Sequence, residues 1–164
     1  METIKLKPIG VVRTEASEDE LKAGTATSEI LLRREHTPSL NGLGDFSHLY
    51  VLFWMHKVTP SERAGRRKVH PWGDPEMPLV GVFATHSPVR PNPIALTLVE
   101  LLEQQGNRLK VRGLDAVDGT PVLDIKPFDF WDAEKLQQAK VPEWWLRRNL
   151  ERWRKWQSLL KPTQ

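Results

Sequence analysis

The chain contains no cysteine, and that absence removes disulfide staples, thiolate nucleophiles and cysteine zinc sites together. A chain built this way suits a reducing compartment, so a cytoplasmic protein is expected. Long apolar runs are missing too. The opening Met1-Glu-Thr-Ile-Lys-Leu-Lys-Pro8 has no hydrophobic signal core, and no stretch is apolar enough to cross a bilayer, so a soluble protein that makes no membrane contact is expected. No G-x-G-x-x-G follows a strand and opens a helix, so the usual dinucleotide and methyl-donor fold has no support. The histidines at 36, 48, 56, 70 and 86 show no zinc-ligand spacing, and no metal is expected.

What is present fits one compact unit with a sizeable core: 164 residues, 39% of them hydrophobic, which suffices for globular folding. Lys and Arg number 24 against 21 acidic residues, for a net charge of +3, but the basic residues are clustered. Arg63, Arg66, Arg67 and Lys68 crowd one segment, and Arg147, Arg148, Arg152, Arg154, Lys155 and Lys161 crowd the tail. Either group suits phosphates, and either equally suits a solvated face.

Up to about Asp124 the pattern is of short β-rich runs: Ile4–Leu6, Ile9–Arg13, Glu29–Arg33, His48–Val58, Leu79–Ala84, Ala95–Leu102, Arg108–Leu114 and Val122–Ile125. Gln105-Gly-Asn107 and Asp118-Gly119 read as turns. Short strands at close spacing, without alternating helices, predict a mainly β chain folded as a small antiparallel barrel. Residues 59–78 carry no apolar period and read as a long exposed loop. Beyond Val141 the period becomes helical, with Pro142 as first helical residue and Leu146, Leu150, Trp153 and Leu160 on one face. The expected organisation is a β-barrel over residues 1–132 and a Trp/Arg-rich amphipathic helical extension over 133–164. Trp144, Trp145, Trp153 and Trp156 among the arginines would dock that helix onto the barrel or a partner subunit, or stack bases of single-stranded RNA.

The most chemically charged stretch is Gly81-Val-Phe-Ala-Thr-His-Ser-Pro-Val-Arg-Pro-Asn-Pro-Ile94. A strand-like start gives way to Thr85, His86, Ser87, Arg90 and Asn92, pinned by prolines at 88, 91 and 93 that fix their own φ and bias the preceding residues toward extended backbone. Preorganised donors and acceptors of this kind suit an anionic or nucleotide-like ligand; an ordinary surface connection is the alternative. Asn92-Pro93 has a superficial likeness to the Asn-Pro-Pro-aromatic motif of enzymes that methylate exocyclic amines, although Ile94 and Ala95 occupy the last two places. A second constellation runs from Asp115 through Asp118-Gly-Thr-Pro-Val-Leu-Asp-Ile-Lys-Pro127. Asp118 and Thr120 suit a turn. Asp124 and Lys126 fall on one strand face, as an acceptor for an amine or as an inert ion pair.

Asp45-Phe-Ser-His-Leu49, Gly81 to Ile94 and Asp118 to Phe128 together resemble the signature blocks of the TsaA-like family, over about the first four fifths of the chain. That family includes tRNA adenine-N6 methyltransferases. The resemblance implies a small non-Rossmann β-barrel, a homodimer, S-adenosylmethionine as cofactor bound near the subunit interface, and methylation of the exocyclic amine of a modified adenosine in tRNA. Carried onto this chain, it implies that Phe83, Ala84, Thr85, His86, Ser87, Arg90, Asp118, Gly119 and Thr120 bind the cofactor. Asn92, Asp124 and Lys126 would then hold the acceptor amine and take its proton. His86 stands where the family usually has arginine, and the family's Pro-Arg-Gln segment is not recognisable between Arg13 and Glu29. Two other functions fit the same residues: methylation of a small molecule, and RNA binding by a barrel without enzymatic activity.

Overall fold

The computed structural model describes residues 2–136, 139–150 and Arg154. The described strands are β1 (Gly10–Arg13), β2 (Thr27–Leu32), β3 (His48–Trp54), β4 (Lys68–Val69), β5 (Val80–Gly81), β6 (Ile94–Gln105), β7 (Arg108–Arg112) and β8 (Pro121–Pro127). Six of them close into an antiparallel barrel in the order β1-β2-β7-β6-β3-β8, while β4 and β5 form a separate two-stranded ribbon. Strand alternation explains the barrel. In β3 the β-branched and aromatic run turns Leu49, Val51 and Phe53 inward and Tyr50, Leu52 and Trp54 outward, the two-residue period of a half-buried strand. Gly10 sits where β1 approaches β2 so closely that a Cβ there would come within 2.6 Å of the Leu31 carbonyl.

The barrel is filled by its own side chains. Val12, Ile30, Leu49, Val51, Val99, Leu109, Val111 and Val122 are at most 1% exposed, so the interior has no place for a ligand and function must lie on the rims or the outer wall. Antiparallel pairing decides which connections share a rim. Trp54 pairs with Ile94 and Val11 with Pro121, so the end of β3, the start of β6, the end of β1 and the start of β8 meet at one end.

Several expectations need correction. Ile4 and Leu6 form no strand and are 82% and 56% exposed. The strand begun at His48 stops at Trp54, and the one expected over Leu79–Ala84 is only β5, followed by a 3-10 turn over Val82–Ala84. Residues 59–78 are ordered locally rather than one open loop. Helix α1 (Glu18–Ala23) precedes β2, and helix α2 (Pro60–Arg63) follows β3; Ser17 and Thr59 begin them with complete capping boxes to Glu20 and Glu62, each satisfying orphan amides at both ends of the box. Residues 68–81 then fold back as the β4–β5 ribbon.

Helix α3 (Phe130–Leu136) spans the boundary expected at residue 132, and α4 (Glu143–Arg148) follows it. Pro142 is the extended N-cap of α4 rather than its first helical residue. The helix docks on the turn Pro71–Gly73. Trp144 meets Trp72 edge to face with centroids 6.0 Å apart, and Arg148 pairs with Asp74 at 2.6 Å while lying 5.1 Å from the Trp72 ring centre. Trp153, Trp156, Leu160, Arg152, Lys155 and Lys161 lie outside the described residues.

Candidate functional site

The signature stretch folds into a self-bonded loop on the rim where β3 ends. Val82, Phe83 and Ala84 make a 3-10 turn, and Thr85 closes it by donating both its amide, at 3.2 Å, and its hydroxyl, at 2.8 Å, to the Val82 carbonyl. The Ser87 amide in turn donates to Thr85 Oγ1 at 3.1 Å. The prolines do what their fixed φ implies: the Arg90 amide reaches the Pro88 carbonyl and the Ile94 amide the Asn92 carbonyl, each at 2.8 Å, giving tight three-residue turns. Arg90 Nη1 is spent inside the loop, on the carbonyls of Val82 at 3.2 Å and Thr85 at 2.7 Å. Its guanidinium also lies 5.5 Å from the centre of the Phe83 ring, a cation–π distance. Arg90 therefore staples the loop, and the open bidentate fork expected of it is half occupied.

A residue from outside the loop completes it. Arg63, the last residue of α2, donates Nη1 to the Pro91 carbonyl at 2.7 Å. Met55, just past β3, anchors the other side through its amide to the Pro93 carbonyl at 2.8 Å. Phe83 is left 74% exposed, and Ala84, His86 and Asn92 are exposed beside it.

The turn before β8 reaches the same rim. Gly119 takes φ +76°, a left-handed conformation that glycine adopts without a Cβ penalty, and its amide donates to the Val12 carbonyl at 2.9 Å. Asp118 does not cap its own turn: it accepts from the Thr14 amide at 3.2 Å and pairs with Arg13 at 3.5 Å, so it ties the turn to the end of β1. Thr120 is buried, with Oγ1 3.4 Å from His56 Nδ1. Burial, and then the charge of Lys57 next to it, hold the His56 imidazole below its ordinary value of 6.5. The rim thus carries a half-buried histidine biased to its neutral, proton-accepting form. Thr97 and Asp115 are hydrogen bonded there as well.

Asp124 and Lys126 do form the expected side-by-side pair, at 2.8 Å, but they stand elsewhere. A bulge between Leu52 and Phe53 puts Asp124 opposite Leu52 and Lys126 opposite Tyr50, on the outer wall. Asn92 precedes β6 on the far side of β3 from β8. Within one chain, therefore, Asn92 joins the Phe83 to Arg90 loop and Asp118 to Thr120 at the rim, whereas Asp124 and Lys126 do not. His56 lies in no motif and was not foreseeable as a site residue; Arg63 stands in the sequence only as part of a basic cluster, and Thr59-Pro-Ser-Glu62, which starts the helix that positions it, is the signal for its place against the loop. Among the described residues no three His, Asp or Glu side chains gather as a metal site, and no helix is long and apolar enough to cross a membrane. A cleft along β1 and β2, lined by Pro8, Arg33, Arg34, Asn107 and Arg108, reaches Val11 and Pro121; apart from Pro121 it takes in no residue of the signature blocks.

The sequence model of the tRNA-methyltransferase O N-terminal domain matches residues 14–132. An S-adenosyl-L-methionine-binding protein of Archaeoglobus fulgidus is 44% identical over 128 residues, covering 75% of this chain and 88% of that protein. The tRNA (adenine(37)-N6)-methyltransferase of Escherichia coli is 36% identical over 143 residues, covering 78% of this chain and 59% of that enzyme. Among solved structures, TrmO from Pseudomonas aeruginosa superposes with a TM-score of 0.65 at 31% identity, over 85% of this chain and 61% of that one. The chain thus spans about three fifths of that structure. With the barrel, the rim loops and these matches agreeing, the chain belongs to the tRNA-methyltransferase O N-terminal domain family.

Proposed function

We propose that this protein binds S-adenosylmethionine on the rim formed by the Phe83 to Asn92 loop and the Asp118 to Thr120 turn, and methylates the exocyclic amine of a modified adenosine in tRNA. The observation that carries this is the convergence of two separated sequence blocks on one barrel end, with an exposed Phe83 face among exposed polar groups. Those residues fit the cofactor's chemistry: an aromatic face suits both a sulfonium and an adenine, and a loop stapled by Arg90 and Arg63 needs little ordering on binding. When bound, the cofactor supplies an electrophilic methyl group. The chain's own part is positional, which suits a displacement governed by alignment. Asn92 accepts a hydrogen bond from the acceptor amine through its side-chain oxygen and orients it. With the methyl donor bound there, Asn92 would hold the acceptor nitrogen in line for transfer, and the proton of that nitrogen would pass to water or to His56. The barrel of residues 1–132 does this work, with the C-terminal segment as its docked extension.

A homodimer and a cytoplasmic location belong to the same proposal. The outer wall of β3 and β6 presents Leu52 and Trp54 beside Leu96 and Leu98, the last two 57% and 42% exposed. An apolar wall of this kind supports a second copy as its cover, and Asp124 and Lys126 on that wall would then lie at the subunit interface.

Titration calorimetry with S-adenosylmethionine, with ATP as a control for adenosine binding, and transfer of labelled methyl groups to tRNA test the proposal together. Saturable binding and labelled tRNA are expected, with Asn92→Ala slowing transfer about tenfold or more while cofactor binding persists. Binding without labelling of any tRNA would move the acceptor to a small molecule; no binding to folded protein would sink the methyltransferase.

A further inference from the structure

The turn at Pro71–Gly73 spends its largest ring on water. Trp72 has φ +57°, the single described non-glycine residue with positive φ, and is 52% exposed. A bulky side chain is disfavoured in that region of backbone space, and such residues persist only where the surroundings hold them and function uses them. The surroundings do hold it. His70 Nδ1 and the Met77 carbonyl are 2.6 Å apart, closing the base of the turn, and the amides of Gly73, Asp74 and Met77 all bond within it at 3.0 to 3.1 Å. Arg148, fixed by Asp74, lies against the indole from one side, and the edge-to-face contact with Trp144 steadies it further. Burial does not explain the tryptophan, and the turn itself would be easier with glycine or asparagine.

Its setting is cationic. Arg66, Arg67 and Lys68 are exposed on the same ribbon, Asp74 is neutralised by Arg148, and Glu76 is the acidic residue left over. Phe83, at the foot of the ribbon just after β5, is a second exposed ring partnered by an arginine. Aromatic faces set among backbone-neutralising cations are the chemistry by which proteins hold unpaired nucleotides.

We propose that Trp72, held by Arg148 and Trp144, is a stacking platform for an unpaired base of the RNA substrate. This rests on the tRNA reading above. It also assigns a role to α4, which keeps the ring in place.

The test uses the full chain and two probes: an RNA hairpin of anticodon stem-loop size, and a duplex of equal length without a loop. Stacking needs an unpaired base, whereas phosphate contacts are available on both. Trp72→Ala should weaken hairpin binding about tenfold and leave duplex binding, S-adenosylmethionine binding and the salt dependence unchanged, because no phosphate contact is lost. Trp72→Phe, which keeps a ring, should retain most of the affinity and shows that loss in the alanine variant is not misfolding. Equal hairpin binding by wild type and Trp72→Ala overturns the platform alone. A change in oligomeric state in place of a change in RNA affinity also overturns it, and marks Trp72 as a protein contact. Failure of wild-type protein to bind either RNA removes the tRNA reading itself.

Discussion

His56 shows how much one residue of the rim can be made to do by its neighbours. Its folded-state pKa is lowered, first by burial and then by Lys57, from the 6.5 of a free imidazole. Between the lowered value and 6.5 the unfolded chain binds the proton and the folded chain does not, so stability rises with pH across that window. The contribution is complete above about pH 6.5 and is lost as pH falls through the folded value. Urea midpoints measured from pH 7.5 down to 5 should fall in the wild type, and fall less in His56→Gln. Equal slopes would show that His56 is not the group responsible. Thr120 beside it was legible as part of a signature turn, but His56 was not, because what singles it out is a meeting across 64 positions of sequence. Asp124 and Lys126 are neighbours, as the strand period implies, but within one chain they stand apart from Asn92: strand alternation reports which face a side chain takes, and says nothing of which strand lies between two blocks.

At the scale of elements, the barrel strands were the most legible, since inward and outward faces alternate along β3 and β7 and the turn at Gly106-Asn107 announces the β6–β7 hairpin. The strand expected over Leu79–Ala84 failed for a definable reason. Val82 is buried and Phe83 points to solvent, so the alternation continues in the side chains while the backbone tightens into a 3-10 turn closed by the Thr85 hydroxyl. Helices α1 and α2 were overlooked although Ser17-x-x-Glu20 and Thr59-x-x-Glu62 are capping boxes in plain view; four to six residues are too few for an apolar period to declare itself. The small α2 matters because it presents Arg63 to Pro91. A hydrogen bond from a charged donor contributes about 1.5 to 3 kcal/mol when well screened from water, and here the side chain is half-buried, so the lower figure applies. Arg63→Ala should therefore speed amide exchange in residues 84–92 about tenfold and weaken S-adenosylmethionine binding, with the barrel amides unaffected. Exchange that accelerates everywhere, or nowhere, would show that Arg63 does not hold the loop.

For the whole molecule, the closed barrel leaves no free edge on its main sheet, so association through the barrel uses side-chain surface. The wall of Leu52, Trp54, Leu96 and Leu98 is continuous with Tyr50, which packs on Phe128 at 5.8 Å. Two residues on, Phe130 and Trp131 stack on each other at 4.8 Å while 69% and 59% exposed. Leu98→Glu places a charge in the middle of the β3–β6 wall without touching the core, and light scattering behind a sizing column should report a shift from dimer to monomer. A wild type that is already monomeric at micromolar concentration would remove the dimer, and with it any part for Asp124 in completing a neighbour's rim.

The β4–β5 ribbon, finally, hydrogen bonds to itself and stands outside the closed ladder of the other six strands. Its opening costs its own few contacts and those of α4 with Trp72 and Asp74, whereas opening any barrel strand breaks the ladder on both sides. The ribbon is thus a low-stability foldon carried by a high-stability one. Substitutions on it, Trp72 among them, alter what the protein touches while the melting temperature stays put, so this is the part of the chain in which recognition can diverge between relatives without the fold resisting.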